Sequence, residues 1–323
     1  MKKNALIIYN PKAGKNGAAH MLPYVVESLR KRNCRCVAWP TLPGYGCEEI
    51  LADEEGKFDY IVCCGGDGTL NHAINGLMRL EEKPQLIYLP TGSTNDFAIS
   101  LGLNKDIETA CRKVEDTQPF YYDIGKFNKS YFNYVAAFGA FTQVSYTTSQ
   151  IMKNQLGHTA YILEGIQELS QIKAHRLRFE LPDGRILEDD YLFGAISNST
   201  SVGGVLTLAP SLVDLADGKF ELLLVRAPRD LTELHECVLA VQKQVYNCKM
   251  ITFQSASHIK IYPRSDMPWT LDGEHCNGSA FLYRNFILQF SSTFQCFCKS
   301  NFICIFQISS YRNSMCNSCY CYS

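Results

Sequence analysis

Four apolar runs in the first 100 residues constrain this chain more than any other feature. They are "ALIIY" (5–9), "CRCVAW" (34–39), "FDYIVCC" (58–64) and "QLIYLP" (85–90), and helical spacing follows each one. Leu22, Val25, Val26 and Leu29 recur at i, i+3, i+4 and i+7, residues 47 to 55 read as a short helix, and Leu70, Ala73, Ile74 and Leu77 repeat the spacing. Short apolar runs bounded by turn residues suit buried strands, and the 3.6-residue period suits helices with one apolar face. Strand and helix in alternation predict an open parallel α/β sheet. Ligands of such sheets bind beyond the carboxyl ends of the strands. Three loops that contain glycine lie at those ends: "NPKAGKNG", "GGDGT" and "TGSTND".

After about residue 120 the pattern changes to alternation with turns, including "PDG" between two strand-like runs. A helix candidate spans 157–173, and the rest predicts a mostly antiparallel β domain. At 323 residues, the chain is long enough for two domains. The expected division is an α/β domain over 1–122, with the active site facing a β-rich domain over 123–284, and an atypical tail over 285–323. The tail carries six cysteines from Cys296 to Cys321, many Phe, Ser and Asn, and no acidic residue, since none follows Glu274. Its composition reads as a poorly ordered or non-native end. In that case the closing strands are missing and the sheet has an unpaired edge. Cys316, Cys319 and Cys321 are candidate zinc ligands. The nine scattered cysteines, Cys63 and Cys64 among them, read as small buried hydrophobes in a reducing compartment.

The net charge of −1 offers no basic footprint for nucleic acid. No run of 18 apolar residues predicts a membrane span, and the N-terminus reads as a strand rather than a signal peptide.

In the second loop, backbone N–H groups at Gly65, Gly66 and Gly68 can approach a phosphate, and the helix that starts near Thr69 adds its positive end. Asp67 would repel a bare phosphate. It becomes useful if Mg2+ lies between them, directly or through water; the alternative is a helix-capping turn. In the first loop Gly14 lets the chain turn closely, and Lys12 and Lys15 could face phosphates. In the third, Ser93, Thr94 and Asn95 offer donors and Asp96 a second carboxylate, or they cap the next helix.

"NPKAG", "GGDGTLN" and "PTGSTNDFA" resemble, in order, the signature loops of the diacylglycerol kinase catalytic family, with the soluble bacterial lipid kinases nearest. GGDGT by itself is shared with NAD kinases and phosphofructokinases. With the downstream pieces the resemblance runs from about residue 4 to residue 280, and it implies an α/β nucleotide-binding domain, a β-rich second domain and a cleft between them. It implies that ATP is held by Asn10, Pro11, Lys12, Ala13 and Gly14, by Thr41, by Gly65, Gly66, Asp67, Gly68, Thr69, Leu70 and Asn71, and by Ser93. It assigns the Mg2+ of MgATP to Asp67, Asp96 and Asp123, partly through water. A structural Mg2+ falls to Asp217 with the carbonyls of Asp214 and Lys219, where "ADG" also suits a plain turn. In "WTLDGEHC" Asp272 becomes the base that takes the proton of a lipid hydroxyl, with Glu274 in support; without the resemblance "LDGE" is a common turn.

The expected function is ATP- and Mg2+-dependent phosphorylation of a lipid hydroxyl, with diacylglycerol going to phosphatidate. The protein would be cytoplasmic and attached peripherally to the membrane that carries its substrate, and a homodimer is left open. Two alternatives stand beside it: another acceptor, such as a sphingoid base, and a nucleotide-binding protein or damaged pseudo-enzyme without turnover.

Overall fold

The computed structural model describes residues 2–14, 18–93, 95–101, 103, 109–110, 120–139, 173–202, 206–243, 246, 248–263, 267–275, 286–296 and 304–308. Lys15, Thr94, nearly all of the helix expected over 157–173, and Cys316, Cys319 and Cys321 lie outside the described residues.

The four apolar runs are strands β1 (Lys3–Tyr9), β2 (Cys34–Pro40), β3 (Tyr60–Gly65) and β4 (Gln85–Pro90). They pair with one another in parallel, in the order β2-β1-β3-β4. Ile61, Val62, Cys63 and Cys64 are buried, as a strand covered on both faces requires. Helices α1 (Leu22–Lys31), α2 (Cys47–Asp53) and α3 (Asp67–Arg79) follow the first three strands. Leu70, Ala73, Ile74 and Leu77 of α3 are fully buried, so the 3.6-residue spacing named the packed face. A five-residue helix, α4 (Asp96–Ser100), opens the chain after β4.

The second half is built from antiparallel pairs. Strands β5 (Phe120–Phe127) and β6 (Ser130–Phe132) form a hairpin, and β7 (Val135–Gly139) pairs with β9 (Ile186–Ser197). β8 (His175–Glu180) meets β9 through the "PDG" turn, where Gly184 has a φ of 82°. A short pair, β10 (Ser201–Val202) and β11 (Leu206–Thr207), stands apart. Then come β12 (Phe220–Arg226), helix α5 (Leu231–Gln242), β13 (Ile251–Ala256), β14 (His258–Pro263), β15 (Trp269–Leu271) and β16 (Glu274–His275).

The edge expected to be unpaired is paired. β17 (Phe286–Cys296) runs antiparallel to both β14 and β5, and β18 (Cys304–Ile308) runs antiparallel to β4, with Cys304 opposite Tyr88. The composition of these segments hid the strands. Their Phe, Ile and Cys suit β-structure, but there is no polar alternation to set a register. Through β17 and β18 the parallel and antiparallel parts share one hydrogen-bonded sheet. An apolar cluster also joins the halves, since Leu70, Ile74 and Phe97 pack in one group with Tyr122, Tyr134 and Val135.

Cys34, Cys47, Cys63 and Cys237 are buried free thiols, Cys36 and Cys248 are half-buried ones, and Cys64 is buried in β3.

Candidate active site

The three loops meet because the three strands that launch them are adjacent. Asn10 N–H donates to the Cys64 carbonyl at 2.9 Å and Thr91 N–H to the Gly65 carbonyl at 2.9 Å, so the ladder continues one residue into each loop. In the first loop the Asn10 side chain accepts from Lys12 N–H at 2.9 Å, an Asx turn that exposes Pro11 and Lys12. Gly14 has a φ of 70°, and any side-chain carbon there would collide with the Thr91 carbonyl. The close approach of first loop to third therefore depends on glycine. Asn10 Nδ2 lies 3.5 Å from Thr69 Oγ1, and Thr41 N–H donates to the Tyr9 carbonyl at 2.9 Å. Ala13 and Leu70 are buried, so these two can offer a nucleotide little beyond their backbone. Ser93 is exposed.

Asp67 is the first residue of α3, yet its carboxylate reaches the third loop. It accepts from Asp96 N–H at 2.9 Å and Phe97 N–H at 3.1 Å, capping the start of α4. The capping alternative is thus realised, on a different helix from the one it begins. Burial pushes the Asp67 carboxyl up to about 6; the two backbone donors hold it down, and the charge of Asp96 adds to the rise.

The three carboxylates assigned to one metal are each held by surroundings of their own. Asp67 and the buried Asp96 stay together. Asp123, also buried, accepts instead from Gly218 N–H at 2.6 Å, and its own N–H donates to the Leu215 carbonyl. Burial, with Asp217 and Asp214 nearby, pushes Asp123 up to about 6. In that loop Asp214 accepts from Ala216 N–H at 3.1 Å, and Asp217 from Lys219 N–H at 2.9 Å with the Lys219 ammonium 3.6 Å away. The plain turn thus satisfies its own carboxylates. Among the described residues, no group of three or more His, Cys, Asp or Glu side chains is arranged to hold a metal ion. The donor set at Asp67 and Asp96 fits an ion carried on phosphates with its own waters, since Mg2+ commonly takes only one or two carboxylates from a protein. The mutual charge of the two acids is what such an ion would relieve.

The "LDGE" segment is a two-residue hairpin turn between β15 and β16, with positive φ at both Asp272 (51°) and Gly273 (82°). The turn drives the Asp272 side chain inward, where it is 3% exposed. Oδ1 accepts from Tyr134 N–H at 2.9 Å and Val135 N–H at 3.1 Å. Oδ2 accepts from Asn133 N–H at 2.7 Å and the Asn71 amide at 2.7 Å. Even with four donors, burial pushes Asp272 up to about 6. Glu274 is exposed, and a Cβ on Gly68 would lie 2.7 Å from its Oε1, so the second loop admits this carboxylate by having no side chain there. Gly66, Asp67, Gly68, Ser93, Asn95, Tyr134, Asp272, Gly273 and Glu274 line one cleft of about 210 Å3.

Asn71 departs from its nucleotide assignment. Its amide donates to Asp272 and to the Tyr131 carbonyl at 3.2 Å, across to the second half. Sequence reasoning passed over Asn75 and Tyr134. Asn75 had a signal: it shares the helix face of Asn71, a polar side chain on an apolar stripe. Tyr134 had none, because its place against the Phe97 ring, 6.2 Å away, is made by the fold.

A family model described as the diacylglycerol kinase catalytic domain matches residues 4–127. A protein named diacylglycerol kinase from Staphylococcus saprophyticus is 34% identical over 277 residues, covering 85% of this chain and 90% of its own. One of the same name from Staphylococcus epidermidis is 35% identical over 277 residues, with 85% and 87% covered. A solved diacylglycerol kinase structure from Bacillus anthracis superposes with a TM-score of 0.64 at 21% identity, covering 94% of this chain and 96% of that one, a likeness that concerns the fold.

Proposed function

The chain belongs to the diacylglycerol kinase family, and from that premise we propose that it transfers the γ-phosphate of ATP to the hydroxyl of diacylglycerol, giving phosphatidate and ADP. One observation carries the reading. The glycine-rich second loop and the turn bearing Asp272 and Glu274, far apart in sequence, line the same cleft.

Phosphoryl transfer needs positioning and charge neutralisation more than covalent chemistry from the protein. The backbone N–H groups at Gly66 and Gly68 and the start of α3 offer an anion site. Asp67 holds the third loop against the second, so Ser93 and Asn95 border the same cleft. A Mg2+ on the phosphates, near Asp67 and Asp96, would neutralise charge during transfer. The carboxylate roles divide by their surroundings. Asp272 has both oxygens taken by N–H donors and holds the turn in shape. Glu274 is exposed over Gly68, and we assign it the proton of the attacking hydroxyl. Among the described residues no helix is long and apolar enough to cross a membrane, so the proposal includes a peripheral encounter with the lipid surface.

The test is transfer of label from ATP to lipid alcohols in mixed micelles with Mg2+. Label in phosphatidate, lost in Glu274→Gln, supports the whole reading. Label in a sphingoid base instead would change the acceptor, and full activity in Glu274→Gln would remove the role of that residue. A folded chain that binds ATP but labels no lipid would overturn turnover itself.

A further inference from the structure

One face of α3 carries three polar side chains in register, Asp67, Asn71 and Asn75, spaced i, i+4 and i+8. Each grips a different part of the molecule. Asp67 holds the backbone of the third loop, and Asn71 holds Asp272. Asn75, 6% exposed, holds the start of β6 through both ends of its amide. Its Oδ1 accepts from Tyr131 N–H at 2.9 Å, and its Nδ2 donates to the Tyr131 carbonyl at 2.9 Å. Only one orientation of the Asn75 amide satisfies both bonds, because a flip would set amino group against N–H and oxygen against carbonyl.

That orientation dictates the next. Asn75 Nδ2 also donates to Asn71 O at 3.0 Å and to Asn71 Oδ1 at 3.1 Å. With its oxygen committed to an N–H donor, Asn71 must turn its own amino group the other way. There it meets the Tyr131 carbonyl and, at 2.7 Å, Asp272 Oδ2. A flipped Asn71 would present an oxygen to a carboxylate and an amino group to an amino group. The geometry therefore forms a relay from backbone to Asn75, to Asn71, to the buried carboxylate.

We propose that Asn75 is a positioning residue for phosphoryl transfer: it fixes the Asn71 amide so that its N–H is delivered to Asp272, which registers the Asp272–Glu274 turn against the helix whose first turn is the phosphate loop. The inference rests on the phosphotransferase reading above. Its physical logic is rigidity. An α-helix transmits position along its axis, and the relay is buried, where a misdirected polar group is costly. Apolar contacts between the halves tolerate small slides. Amide hydrogen bonds of fixed polarity do not.

The test compares Asn75→Ala, Asn71→Ala and the double variant with the parent, for kcat, ATP affinity by direct binding, and unfolding. Asn75→Ala is expected to lower kcat about tenfold to a hundredfold, the scale of a small misplacement of reacting groups, with ATP affinity changed less than about threefold. The double variant should lose no more than Asn71→Ala does. A kcat within about twofold of the parent despite a lower Tm, or fully additive losses, would leave Asn75 a packing residue and overturn the inference. If Asn75→Ala does not fold, Asn75→Asp keeps the shape and sets an oxygen against the Tyr131 and Asn71 oxygens, and the same comparisons apply. A parent that labels no lipid would sink the functional reading instead. The relay is then decided by unfolding: Asn75→Ala and Asp272→Asn should couple by about fivefold or more in the unfolding constant, and independent effects would end it.

Discussion

Replacing Asp272 by asparagine separates the cost of burying this carboxylate from the value of its hydrogen bonds. With a folded value of about 6 against about 3.9 unfolded, the native state holds the proton more tightly than the unfolded state. Stability from this group is therefore fully present below the unfolded value and is lost as pH rises through the folded one. Integrated between pH 4.5 and 7.5, the loss is about 2 kcal/mol. Asparagine does not titrate and so lacks this slope. It keeps the side chain's size but turns one of two acceptor oxygens into an amino group facing N–H donors. At pH 4.5 the folded carboxyl is protonated, so each lost bond is a neutral one and costs about 0.5–1.5 kcal/mol. The parent should therefore be the more stable protein at pH 4.5, and its advantage should shrink by about 2 kcal/mol by pH 7.5, as its own carboxylate pays for ionisation in a buried site. Urea unfolding of both proteins at the two pH values measures the gap. An advantage that widens with pH would refute the reasoning, because it would mean that the four donors outweigh burial and hold the folded value below the unfolded one.

Other consequences are as direct. Asp67→Asn should lower turnover by about a hundredfold, the scale of losing a preorganised electrostatic group, while Tm moves little because one acceptor for α4 remains; equal turnover in variant and parent would take Asp67 out of the chemistry. Gly68→Ala places a methyl group 2.7 Å from Glu274 Oε1, a flexible exposed end that can swing aside, so Tm should hardly change while kcat falls with ATP binding retained, and an unchanged kcat would show that the working carboxylate does not sit in this position. Truncation after Cys296 removes β18 and bares the backbone edge of β4, so light scattering should report association on warming; a monodisperse truncated chain with the Tm of the parent would mean that β18 guards nothing.

The α/β half was legible from residue types alone. Apolar runs of strand length and a 3.6-residue stripe are local signals, and Ile61 to Cys64 and Leu70 to Leu77 bury as their spacing requires. The three loops were legible for the same reason: glycine at Gly14 and Gly68 marks where backbone or another side chain must come close, and the sequence states that need without naming the neighbour. The neighbours came only with the fold. The structure made Asp67 the cap of α4, turned Asp123 toward Gly218, and aimed Asn71 at a carboxylate 201 positions away. It also found closing strands in a tail whose composition suggested none. A carboxylate or amide has several equally good partners within reach of any local pattern. Which one it takes is decided by burial, where an unpaired polar group is too costly to leave, and burial is a property of the assembled chain.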